Sequence, residues 1–278
     1  MKLIQTLAVL SLTFTSVALA QPSWHTVKKP TSGQTKIYGS YANGCFSGGE
    51  VIPINGDGFQ QVRPSRNRNY GDESLLIFIE SLGQYAKTQN KTVILGDLSQ
   101  PRGGPMNFGH SSHQIGLDVD IWFEAIGKDG LTKQQRENLA TQSLVDGKKG
   151  VISKHWQPYY RNLIHQAALY PKTERIFVNP VIKAYLCETE KDKSWLYKVR
   201  PWFGHDSHFH VRLVCPKGQK DCEPQAPVAK TSGCDADLQN WVKDQTDLAL
   251  GIKKPTVSKS KPTPKVMPAM CRTVLQQK

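Results

Sequence analysis

Histidine is concentrated where it could do chemistry. The chain holds eight, and five fall in two short windows, His110–Asp120 and His205–His210. Both windows lead into, or lie on, a segment of alternating character. In Asp118-Val119-Asp120-Ile121-Trp122-Phe123 the apolar Val119, Ile121 and Phe123 share one face of a strand, and Asp118, Asp120 and Trp122 share the other. In His208-Phe209-His210-Val211-Arg212-Leu213 the apolar face is Phe209, Val211 and Leu213, and His208, His210 and Arg212 lie opposite. One such strand is ordinary for a sheet with a wet face. Two of them, each joined to clustered histidines, point to a divalent metal. Zinc takes imidazole nitrogen and carboxylate oxygen, and a catalytic site uses three protein ligands and leaves one position open. Two histidines from separate segments with one aspartate meet that need. Because His208 and His210 project the same way, one can ligate while the other faces the metal-bound water.

Other chemistries lack their residues. There is no HExxH helix motif, and Gly109-His110-Ser111-Ser112-His113 has histidine where a nucleophile elbow closes with glycine. No Walker loop, GxGxxG or nucleic-acid-binding signature occurs. His25, His155 and His165 stand apart from the clusters and are read as surface or packing residues.

The elements that must position these groups follow from pattern. Asp72-Glu73 gives an acidic start to a helix carrying Leu75, Leu76, Phe78, Ile79, Leu82 and Tyr85. Thr92–Leu95 predicts a buried strand running into the polar loop Ser99–Gly109, whose part Gln100–Asn107 is expected to line the cleft. Helices are expected over Thr132–Ser143 and Trp156–Tyr170, the latter with a stripe of Tyr160, Leu163, Ile164, Ala167 and Ala168. Arg175–Asn179 reads as a strand, and Pro180 opens a helix reaching Cys187. From Gly44 to Gly71 glycine, asparagine and arginine predict loops with short strands. Strands and helices without a regular βαβ rhythm indicate an α+β fold, a small antiparallel central sheet flanked by helices and long loops.

The chain has 278 residues, 38% of them apolar, and a net charge of +13. An integral membrane protein, a collagen-like fibre and a fully disordered chain are excluded. Residues 1–20 read as a signal peptide: Lys2, an apolar run, then Ala18-Leu19-Ala20 for cleavage. Export makes the even set Cys45, Cys187, Cys215, Cys222, Cys234 and Cys271 a disulfide framework, with no CxxC pair to suggest a cysteine metal site. Spacing leaves the connectivity open, although Cys215 and Cys222 could close a small loop. The basic charge implies an anionic neighbour, and for an exported chain an acidic cell-wall polymer or an anionic membrane surface suits better than nucleic acid. Residues 21–250 are expected to form one domain. Residues 251–278, rich in lysine and proline over 252–268, read as an extended strap tied back at Cys271.

The windows Phe108–Asp120 and Arg200-Pro201-Trp202-Phe203-Gly204-His205-Asp206-Ser207-His208-Phe209-His210-Val211-Arg212 resemble the penicillin-insensitive murein endopeptidases. Those are periplasmic zinc enzymes sharing H-x6-D and a later H-x-H with D-Ala-D-Ala peptidases, lysostaphin-type peptidases and hedgehog domains. The resemblance implies that His113, Asp120 and His210 ligate zinc, and that His208 stands beside the metal water as base or transition-state stabiliser. His205 would be a further active-site imidazole, and His110 a supporting group or alternative ligand. Asp146 and Lys149 occupy a turn where the resemblance implies a subsidiary metal in relatives, but a protonated lysine cannot ligate. The implied disulfides are Cys45–Cys271, Cys187–Cys234 and Cys215–Cys222. The implied reaction is hydrolysis of the D-alanyl–meso-diaminopimelyl amide that cross-links peptidoglycan, in the periplasm. Two alternatives stand beside it: a zinc carboxypeptidase trimming terminal D-Ala, and a cell-wall-binding module with a vestigial zinc site. The module would need neither His205 nor His208. Oligomeric state is not legible in the residues.

Overall fold

The computed structural model describes residues 23–255 and 266–277. The proposed signal peptide and the middle of the strap lie outside the described residues. Among the described residues no helix is long and apolar enough to cross a membrane.

The glycine-rich first part forms short strands: β1 (Lys36–Ser40), β2 (Asn43–Ser47), β3 (Glu50–Val51), β4 (Asn55–Gly56), β5 (Phe59–Gln61) and β6 (Tyr70–Gly71). β1 pairs with β2, β3 with β6 and β4 with β5, all antiparallel. The first helix, α1 (Glu73–Thr88), starts where the acidic signal placed it. The Asp72 carboxylate caps it by accepting from the backbone N–H of Ser74 at 2.9 Å. Then follow β7 (Lys91–Leu95), β8 (Asp118–Trp122), β9 (Ile126–Gly127), α2 (Lys133–Asn138), β10 (Val145–Asp146) and β11 (Val151–Ile152). The remainder is α3 (Pro158–Leu169), β12 (Thr173–Val178), α4 (Pro180–Thr189), β13 (Val199–Pro201), β14 (His208–Leu213), α5 (Ala236–Ala249) and α6 (Ala269–Gln276).

The main sheet runs β13-β12-β14-β8-β7-β5-β4, with β9 also paired to β7. Its centre, β12-β14-β8-β7, is antiparallel as expected. Parallel pairs of β13 with β12 and of β5 with β7 make the whole sheet mixed. One face supplies the core. Val119, Ile121, Phe209, Val211 and Leu213 are fully buried there, among Leu75, Phe78 and Ile79 of α1 and Leu163, Ile164 and Ala167 of α3. Each such side chain contributes about 1.5–3 kcal/mol by leaving water. The opposite face is the polar one, and it is buried too: Asp118, Asp120, His210 and Arg212 are each at most 5% exposed. The alternation therefore does not mark a wet face of the sheet. It marks two different interiors.

Two expected features differ. The helix expected over Thr132–Ser143 ends at Asn138. A capping box between Thr132 and Gln135 starts it, but it buries only Arg136 and has no apolar stripe to carry it further, so Leu139 turns out of helical geometry. The loop Gln100–Asn107 does not line the cavities beside the clustered histidines. Gln100 and Arg102 are buried, and one Arg102 nitrogen donates to the Val274 and Leu275 carbonyls at 3.0 and 3.1 Å, closing the C-terminal end of α6. Gly109–Ser112 lines the cleft instead.

The disulfides join Cys45 to Cys271, Cys187 to Cys234 and Cys215 to Cys222, the pairing that the resemblance implied. The first holds α6 on β2, where Cys45, Cys271, Tyr38 and Val274 form a small separate core.

Candidate metal centre

Antiparallel register builds the centre. β14 lies beside β8 so that His210 is opposite Asp120, Arg212 opposite Asp118 and His208 opposite Trp122. His113 arrives from the loop before β8. It is completely buried and its backbone is left-handed, at φ 64°. Such a conformation costs a bulky residue of order 1 kcal/mol or more and persists only where neighbours impose it. Here the neighbours are the Asp118 carboxylate, which accepts from the His113 backbone N–H at 3.0 Å, and the Ser99 hydroxyl, which donates to the His113 carbonyl.

Asp120 is the hub. Its Oδ1 lies 3.3 Å from His113 Nε2 and 3.5 Å from His210 Nδ1, and its Oδ2 lies 3.6 Å from His110 Nε2 and 3.8 Å from His208 Nε2. The His113 ring centroid is 4.4 Å from that of His110 and 4.5 Å from that of His210. His205 is further out, its ring 5.0 Å from His208 and 6.0 Å from His210. His110, His113, His208 and His210 thus surround Asp120, and His205 stands one ring further out. Asp146 and Lys149 instead pair with each other, at 3.1 Å, on the β10–β11 hairpin.

The electrostatics separate roles. Burial works against a charged Asp120, yet the facing His208, His113 and His110 imidazoles more than offset it and hold the carboxyl well below the usual range. Asp118 is likewise held low against burial, by Arg212 and His210. Burial pushes His210 down to about 3, so its ring is neutral, and its Nε2–H donates to Asp118 Oδ1 at 2.9 Å. That leaves Nδ1 as a lone pair facing Asp120. For His110 the balance is the reverse: burial lowers it, but the Asp120 and Asp97 carboxylates outweigh burial and raise it. His110 Nε2 is already hydrogen-bonded to Asp97 at 3.0 Å.

Both ring nitrogens of His113 and Oδ1 of Asp120 are buried without any hydrogen-bond partner. An unsatisfied buried polar group costs about 1–3 kcal/mol, and native proteins tolerate few. One lone pair of the His113 imidazole, at Nε2, and the His210 Nδ1 both face Asp120 Oδ1, the donor set a cation requires. His110, His113 and Asp120 each offer a ligand atom within 4.8 Å of the others, the one such group among the described residues. The residues present therefore fit a metal.

Sequence reading missed two carboxylates. Asp118 ties His113, His210 and Arg212 together; its place two residues from Asp120 on the same face was the available signal. Asp97 takes His110, Arg66 (2.9 Å) and Arg68 (2.7 Å), residues too distant in the chain to be linked by pattern. Burial raises Asp97, but those three partners win and bring it to about 2. Its folded value is depressed, so its ion pairs stabilise the fold fully above the ordinary carboxylate pKa of about 4, and the contribution is lost as pH falls through about 2. We expect Asp97→Asn to lower unfolding free energy by roughly 2–4 kcal/mol at neutral pH. The deficit relative to the parent should shrink between about pH 4 and pH 2 in denaturant titrations.

Two cavities flank the hub. The larger, about 420 Å³, is walled by Phe177, Trp202, Phe203, His205 and His210, with Trp202 and Phe203 exposed at its rim. The smaller, about 160 Å³, is walled by Arg63, Arg66, Asp120, Trp122, Ser207 and His208. His110 borders both.

Fold and site together define a disulfide-stapled α+β protein whose candidate metal centre borders two cavities. The family model described as penicillin-insensitive murein endopeptidase matches residues 37–276. A protein of that name from Haemophilus influenzae is 40% identical over 285 residues, covering 98% of this chain and 95% of the relative. Relatives of the same name from Klebsiella pneumoniae and Escherichia coli O157:H7 are 36% and 38% identical, each alignment covering 98% of this chain and 97% of the relative. The chain belongs to the family of the penicillin-insensitive murein endopeptidases.

Proposed function

We propose that this protein is a zinc-dependent endopeptidase of the periplasm that hydrolyses the D-alanyl–meso-diaminopimelyl cross-link of peptidoglycan and is indifferent to β-lactams. The observation that carries the reading is the buried His113 imidazole and Asp120 Oδ1, without hydrogen-bond partners among the described residues, with the neutral Nδ1 of His210 beside them. The names of the relatives supply the substrate class.

His113, Asp120 and His210 are the proposed ligands. Asp118 orients His210 through Nε2–H, the carboxylate–histidine arrangement that fixes which nitrogen faces a metal. His110 is the supporting imidazole, because its Nε2 is committed to Asp97 and its proton is favoured. Zinc bound there supplies a polarised scissile carbonyl and a coordinated water acidified to about pKa 7. His208 borders the smaller cavity, its Nε2 without a hydrogen bond among the described residues, and it would move a proton between the attacking water and the leaving nitrogen. His205 donates Nδ1–H to the Phe203 carbonyl at 2.8 Å, which leaves its Nε2 to accept from water or substrate. No serine acyl-enzyme forms, so β-lactams have nothing to trap.

Cavities on both sides of His110, one also lined by Asp120 and the other by His210, favour an endopeptidase over trimming of a terminal D-Ala, which needs room on one side only. Residues 1–20 serve as the signal peptide, residues 21–250 as the catalytic domain and residues 251–278 as the strap. With isolated sacculi as substrate, dimeric muropeptides should disappear, phenanthroline should stop the loss by at least about a hundredfold, and penicillin should not. Full activity after exhaustive chelation overturns the reading.

A further inference from the structure

The smaller cavity is lined by two guanidiniums, Arg63 and Arg66, and two carboxylates, Asp97 and Asp120. Arg63, Arg66 and Arg68 come from one loop, shaped by a single 3-10 turn, Pro64–Arg66, between two left-handed residues, Arg63 (φ 52°) and Asn67 (φ 54°). Arg66 and Arg68 share one carboxylate, Asp97, which His110 also engages. Glu137, the next carboxylate, is bound by the Ser65 hydroxyl and backbone N–H. Among the described residues Arg63 makes no ion pair. Its guanidinium lies 4.8 Å over the Trp122 ring, and its one hydrogen bond, to the Leu139 carbonyl, is long at 3.4 Å. The cation–π contact with the indole anchors the guanidinium while leaving most of its N–H donors unpaired among the described residues. Arg63 and Arg66 wall the same space as Asp120 and His208, the group proposed to reach the leaving nitrogen.

In a D-alanyl–meso-diaminopimelyl amide, the carbon bearing the leaving nitrogen also bears a carboxylate. We propose that Arg63, assisted by Arg66, is the specificity-determining subsite for that carboxylate, so that the smaller cavity takes the amine side of the scissile bond. A planar fork with free donors matches a carboxylate in two-point contact. The proposal rests on the murein endopeptidase reading and deepens it.

The test compares two cross-linked muropeptide dimers that differ only at this group, one with the free carboxylate and one with a carboxamide. Charge-assisted hydrogen bonds predict that the parent enzyme prefers the carboxylate by about tenfold to a hundredfold in kcat/KM. Arg63→Gln should bring that ratio close to one, chiefly by raising KM for the carboxylate dimer. Arg63→Lys, which keeps charge but not the fork, should retain part of the preference. Calorimetry of the amine product with the intact enzyme should show the same order of affinities without turnover. Equal cleavage of both dimers by the parent, or full preference in Arg63→Gln, overturns the subsite while the hydrolase stands. Failure of the parent to cleave either dimer overturns the function and the subsite with it.

Discussion

Alanine in place of His113 is expected to remove metal and activity together. Metal analysis should fall from about one ion per chain to near none, an affinity loss greater than the roughly hundredfold typical of groups one layer behind a metal. Cross-link cleavage should fall below detection. The structure separates this from simple unfolding. Neither ring nitrogen of His113 makes a hydrogen bond, so deleting the imidazole breaks no polar network; the Asp118 and Ser99 contacts go to its backbone and survive. The metal-stripped parent and the metal-stripped variant should therefore melt within a few degrees of each other, the residual difference reflecting lost packing and an alanine held at positive φ. Added zinc should raise the melting temperature of the parent and not of the variant, because only a state that binds ligand is stabilised by it. A variant that keeps a full ion would reassign the centre to His110 and His210.

How far the site could be read beforehand follows from what kind of constraint places each residue. Period-two alternation is local, so the faces carrying Asp118, Asp120, His208 and His210 were visible in the residues alone. That β8 and β14 are neighbours, in a register that sets His210 against Asp120, is a property of the assembled sheet. His113 sits in a loop whose left-handed turn is imposed by Asp118 and Ser99, and no local pattern announces it. The Asp97 cluster joins residues 29 and 31 positions apart to His110, through a loop rich in arginine that reads as mere surface. The polar strand faces show the same limit from the other side. Pattern distinguishes two faces of a strand, but only packing tells whether the polar one meets water or a buried cluster of charge.

Alanine at His208 should do the opposite of alanine at His113: metal stays and turnover goes. His208 has the longest approach to Asp120 of the four imidazoles, 3.8 Å, and its side chain is 23% exposed toward the cleft. No carboxylate orients it from behind, whereas Asp118 fixes His210 on the next inward-facing position of the same strand. His210 is anchored through Nε2–H with Nδ1 turned to Asp120, as a ligand beside a carboxylate is, whereas a proton carrier needs a nitrogen free to reach substrate, as His208 has. We expect kcat to fall about 10²–10⁴-fold, the usual contribution of a positioned acid or base, with metal content unchanged and KM within a few-fold. His210→Ala is the matched control, since two residues along one strand face are being assigned different tasks, and it should lose the ion. If His208→Ala sheds its metal while His210→Ala keeps it, the two assignments are exchanged, and the lone pair on His210 Nδ1 must then be explained by something other than coordination.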